Sequence, residues 1–350
     1  MWRAPVRRLY ALNCNIGRGK SKACAVFGCR TERKYRMELA GILANQVVVM
    51  FLLLAAGMIL YKIKMITDEG SSQLTAVVLY VVTPLLVLDT YSMKYDAAVA
   101  KNMLLGFALS AGSIVLAIIV SNLLRIKGTR ESLATERFTV IFTNCGFMGI
   151  PLAEAVFGSI GVVYCTTYLT MFHLFVWTYG LALMRGKNTE KKTLAARIKP
   201  FVTPTIICVI LGLLVYFLQI PLPKQFKSAI GYIASMNTPL AMLVSGVYIA
   251  KSDLLGALRR GRVYAVSLVK CILIPLIVAF LLAPLPFNEE LKTTILILSA
   301  CPSAANGMLF ANRFGGDAKA ASNIFTLTTL SSVVCIPLIV MLSQWLAGIV

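Results

Sequence analysis

The sequence predicts an all-α integral membrane protein of ten transmembrane helices in two inverted five-helix repeats, with broken, crossing helices four and nine. Three observations carry that expectation. Of 350 residues, 58% are hydrophobic and 14% charged, whereas soluble domains carry about 25% charged residues. Uncharged or nearly uncharged stretches recur from end to end, of about the length a helix needs to cross roughly 30 Å of hydrocarbon. Two of these stretches are interrupted by Gly and Pro at equivalent places.

In order, the stretches are Ile42 to Tyr61, Gln73 to Leu88, Asn102 to Leu124, Phe138 to Phe157 and Val162 to Met184, then Phe201 to Leu218, Ser228 to Ala250, Val263 to Ala283, Thr293 to Asn312 and Ala320 to Leu342. The polar connector 185–200, with six Lys or Arg, divides a first repeat (37–184) from a second (201–350). Five spans per half force opposite orientations. Thr83-Pro84-Leu85 in span two is echoed by Thr238-Pro239-Leu240 in span seven, as an inverted repeat requires.

Loops after odd-numbered spans hold eighteen Lys or Arg, and loops after even-numbered spans hold five. By the positive-inside rule this predicts a multi-pass protein of the cell (inner) membrane with both termini outside the cytoplasm. Residues 1–36 break the pattern, with ten Lys or Arg against Glu32 alone. Met-Glu-Leu-Ala from Met37 reads as a more ordinary start, so the basic tail is expected to be absent from the native or mature protein. The net charge of +20 is then mostly tail and cytoplasmic loop charge, and no nucleic-acid partner is expected.

The breaks are Asn144-Cys145-Gly146-Phe147-Met148-Gly149-Ile150-Pro151 in span four and Cys301-Pro302-Ser303-Ala304-Ala305-Asn306-Gly307 in span nine. Unwound backbone survives at membrane depth only inside protein or along a cavity. Corresponding breaks in two halves mark a substrate site. Pro151 and Pro302 remove backbone donors, while Gly146, Gly149 and Gly307 permit a second backbone to come close. Exposed N-termini of half-helices suit a small anion, and Asn144 and Asn306 add side-chain donors or brace the unwound chain. The plain alternative is two kinked, packed helices.

Lys270, inside span eight, either attracts an anion or snorkels to the interface. Glu154, three residues past Pro151, either takes up a proton or cation or stabilises the start of its helical arm. Asp89 reads as interfacial and His173 as a packed polar residue. Nine cysteines and one histidine show no metal-ligand spacing, so no metal site or cofactor is expected.

Asn144 to Leu152, NCGFMGIPL, followed by Phe157-Gly158, resembles the fourth-helix signature of the auxin efflux carrier family. Cys301 to Asp317, CPSAANGMLFANRFGGD, resembles its ninth-helix segment, and Thr238 to Leu243 with Gly246 its seventh. The likeness runs from about Met37 to Leu346. It implies a scaffold of spans one, two, six and seven and a mobile domain of the other six. It also implies export or exchange of an organic anion by an elevator-like movement, with Asn144, Pro151 and Pro302 as crossover residues. The plant members' long insertion between halves is missing, which points to a bacterial-type member handling a small carboxylate, with malate and malonate as analogies.

The expected activity is thus secondary transport of a small organic anion, with the bilayer as the other partner, coupling to H+ or Na+ left open, and a homodimer through the scaffold spans as an allowed assembly. The alternative is a sodium-coupled symporter of the bile-acid type, which needs several oxygen ligands at the crossing. An intramembrane enzyme needs paired aspartates, a histidine cluster or a Ser/His pair within the spans; a single histidine and no such pair argue against it.

Overall fold

A computed structural model describes the backbone over residues 22–124, 128–185, 203–253, 256 and 260–347, and the side chains over the same residues from 38 to 346. Residues 1–21 of the basic tail and residues 186–200 of the connector lie outside the described residues.

The described chain is helical, and its one β-type pairing is an isolated bridge. In order the helices are α1 (Lys22–Lys62), α2 (Asp68–Tyr91), α3 (Ala97–Leu123), α4 (Arg130–Ile141), α5 (Cys145–Phe157) and α6 (Ser159–Arg185). After the connector come α7 (Pro204–Leu218), α8 (Lys224–Lys251), α9 (Gly261–Leu282), α10 (Glu289–Ala300), α11 (Asn306–Phe314) and α12 (Ala318–Ala347). Among the described residues, 7 helices are long and apolar enough to cross a membrane: α2, α3, α6, α8, α9, and α1 and α12 over Glu38–Lys62 and Ala318–Leu346. The predicted spans four and nine are each a pair of short helices, α4/α5 and α10/α11, with non-helical chain between them.

Proline explains most of the local irregularity. Wide π-turns at Val78–Val82, Cys145–Gly149 and Val269–Leu273 each end two residues before a proline: Pro84, Pro151 and Pro275. The ring removes a donor and crowds the carbonyl one turn back, and a wider turn relieves both. The Thr-Pro-Leu echo seen in the sequence is also a spatial pairing, because Thr83 Oγ1 donates to Asn237 Oδ1 at 3.1 Å, beside Thr238-Pro239.

Helices α1 and α8 come into backbone contact through glycine. A Cβ at Gly57 would fall on the carbonyl of Leu243, and one at Gly246 would fall on the carbonyl of Leu54. Helix α2 packs on α7 and α8, while α3 packs on α6, and α9 on α10 and α12. Tyr216 of α7 accepts from Asp96 N at 3.0 Å and donates to Asp96 O at 2.9 Å, which fixes the α2–α3 loop against α7.

Cross-links among the loops sort them by side. Lys251 pairs with Asp68 at 2.6 Å, Lys319 with Asp253 at 3.0 Å and Arg262 with Glu136 at 2.5 Å, joining ends of chain that border odd-numbered loops. Lys227 Nζ donates to Ser92 O at 3.1 Å, joining two even-numbered loops. Boundaries differ from the uncharged runs: α4 starts at Arg130 rather than Phe138 and α10 at Glu289 rather than Thr293, because charged residues paired or capped at helix ends are compatible with helix.

A crossing of two broken helices

Helix α4 ends at Ile141 with Phe142 extended (ψ 122), and α10 ends at Ala300 with Cys301 in polyproline-like geometry (φ −59, ψ 148). A residue before proline is steered to that region, so Pro302 sets where α10 stops. The two extended segments meet antiparallel at Thr143 and Ser303. Asn144 N donates to Pro302 O at 2.7 Å, and Ala304 N donates to Phe142 O at 2.9 Å. Backbone groups freed by the breaks thereby satisfy one another, as an apolar surrounding demands.

Side chains hold the bridge from behind. Ser303 Oγ donates to Thr139 O at 2.8 Å, and Ser303 N donates to Thr328 Oγ1 of α12 at 3.2 Å. Cys271 Sγ of α9 reaches Thr328 O at 3.8 Å, so α9, the crossing and α12 share one depth. Beyond the bridge, α5 begins at Cys145 and α11 at Asn306, and neither N-terminus has a side-chain cap. Two helix N-termini, with the partial positive charge of their aligned peptide dipoles, therefore start at the crossing.

Asn144 lies in the bridge, buried, with its Nδ2 unbonded among the described residues, and its carbonyl accepts from Met148 N and Gly149 N at 3.1 and 3.2 Å. Pro302 supplies the carbonyl opposite. Pro151 is buried directly after the π-turn. Gly149 is a packing glycine, since a Cβ there would run into the Leu298 side chain, and at Gly307 a Cβ would stand 3.1 Å from Thr139 Cγ2. Gly146 has more room, with Leu169 at 3.9 Å, and Asn306 is half-buried at the first position of α11.

Two expectations about charged residues need correction. Lys270 does not snorkel: it sits in the π-turn of α9 with 0% exposure. Its Nζ makes no hydrogen bond among the described residues. The π-turn that carries it packs on α4, α10 and α12, and two of these, α4 and α10, run into the crossing. Glu154 is exposed and lies three residues from the C-terminal end of α5, because that arm starts at Cys145 and not at Pro151. A carboxylate there gains nothing from the helix N-terminus. His173 is half-buried, its ring edge-on to Phe172, and Asp89 is half-buried near the C-terminal end of α2.

The sequence reading missed Ser303, Thr139, Thr328 and the Glu136–Arg262 pair. The Thr326-Leu-Thr328-Thr329 run in an apolar span was the available signal. A family model described as a membrane transport protein matches residues 42–340. Among curated proteins none matches the chain.

Proposed function

The chain belongs to the membrane transport protein family of auxin efflux carrier type, and from that premise we propose that it is a secondary transporter moving a small organic anion, a carboxylate, by an elevator-type cycle. The observation that carries this reading is the bridge of Asn144 to Pro302 and Phe142 to Ala304. It places two uncapped helix N-termini and the Asn144 amide at one buried point, with donors and no acidic side chain in the bridge. Such a point favours a carboxylate over a cation.

The order of segments supports two inverted five-span halves, with α4/α5 fourth in the first and α10/α11 fourth in the second. The packing supports a scaffold of α1, α2, α7 and α8, tied by Gly57, Gly246 and Thr83, beside a mobile body that contains the crossing. The basic odd-numbered loops and their cross-links support an inner-membrane orientation with both termini outside the cytoplasm.

Flux of labelled malonate and malate into proteoliposomes tests the reading. Saturable flux that falls at least tenfold in Asn144→Ala is expected. Flux indifferent to that change would remove the site from the crossing.

A further inference from the structure

Among the described residues, Lys251, Arg262, Lys292 and Lys319 each reach a carboxylate. Lys270 is more deeply buried than any of them, and among the described residues no ion pair reaches it. An ammonium withdrawn from water and left without a counter-charge is strongly unfavourable, more so at membrane depth. Such a group sheds its proton unless a ligand supplies the missing charge.

Position says which ligand. Lys270 is next to Cys271, whose thiol reaches Thr328 O, and Thr328 Oγ1 accepts from Ser303 N in the bridge. The π-turn that carries Lys270 also packs on α4 and α10, the two helices that run into the bridge at Asn144 and Pro302. Lys270 is thus carried on the turn of α9 beside the crossing where the α5 and α11 N-termini begin, and all three contributions are positive. A carrier that binds an anion without a fixed cation balances it by helix N-termini, a proton or a metal cation. Here the balance is covalently attached.

We infer that the Lys270 ammonium is a tethered counter-cation of the anion site, occupying the role of a coupling cation, so that a carboxylate is bound without Na+. The inference rests on the anion-carrier reading and deepens it. Lysine also excludes a metal ion from its own position by charge repulsion.

Binding and flux separate the two claims. Purified protein is heated with malonate, malate or acetate in sodium or in choline buffer. Malonate or malate is expected to raise the unfolding midpoint of the wild-type protein equally in both buffers. Lys270→Met and Lys270→Gln should unfold cooperatively without ligand, and should weaken carboxylate binding at least tenfold in both. A wild-type shift that needs Na+, a shift that survives both substitutions, or no shift with any of the three acids overturns the inference. Binding that depends on Lys270 but is accompanied by no flux in proteoliposomes leaves Lys270 as the counter-cation and overturns the transport reading instead.

Discussion

Gly246 of α8 lies so close to Leu54 of α1 that a Cβ on the glycine would clash with the leucine carbonyl. Gly57 and Leu243 repeat the relationship with the helices exchanged. In a bilayer, helix association draws on close packing because lipid is as apolar as the side chains, so this doubled approach fastens α1 to α8.

Gly246→Val should therefore lower stability by about 1–3 kcal/mol or more, because the obstacle is backbone and cannot rotate away. Gly41→Ala, where nothing lies within 4 Å of the added carbon, should leave it unchanged or raise it by up to about 1 kcal/mol through helix propensity. Thermal unfolding in detergent followed by tryptophan fluorescence compares the two. Equal midpoints for the two variants would mean that α1 and α8 separate without cost.

Ser303→Ala removes the hydroxyl that donates to Thr139 O at 2.8 Å but leaves the main-chain bridge intact. A buried acceptor losing its donor costs about 1–3 kcal/mol. The variant should fold, unfold at a lower temperature and carry anion more slowly, since the bridge loses its tie to α4. Full activity at an unchanged midpoint would show that the main-chain bonds alone hold the crossing.

The breaks were legible because Gly and Pro act locally: Pro302 stops α10 whatever surrounds it, and Pro151 follows a π-turn for reasons contained in one helix. The depth of Lys270 was legible too, from its place in span eight, but its full burial was not. Whether a long side chain turns inward depends on neighbours from α12 and the crossing. The Ser303–Thr139 bond joins residues 164 positions apart, and no spacing rule anticipates it. Marking spans by absence of charge also cut α4 short at Phe138, which left Glu136 in a loop although it is buried within the helix. The Thr-Pro-Leu echo was read as a trace of repetition, and the structure adds that its two copies stand side by side.

Glu136 is 3% exposed and bound by Arg262 through two contacts, Nε at 2.5 Å and an Nη at 2.8 Å, which joins α4 to the start of α9. Glu136→Gln should destabilise by roughly 1–3 kcal/mol, less than for a fully enclosed pair because the arginine is partly solvated. A double-mutant cycle with Arg262→Gln isolates the coupling, expected at about 1 kcal/mol or more. Additive single effects would show that the two side chains act independently.

Sidedness follows from the loop cross-links. Lys251 is tied to Asp68 at 2.6 Å, and Lys227 to Ser92 at 3.1 Å, and the chain passes through α8 between these two lysines. A helix of that length crosses the bilayer once, so the lysines face opposite compartments. The excess of basic residues on the Lys251 side predicts that it faces the cytoplasm. In a background cleared of its nine cysteines, Lys227→Cys should react with a membrane-impermeant maleimide added to intact cells. Lys251→Cys should react only after the membrane is opened. The reverse pattern would invert the orientation, and labelling of both in intact cells would mean that α8 does not span the membrane.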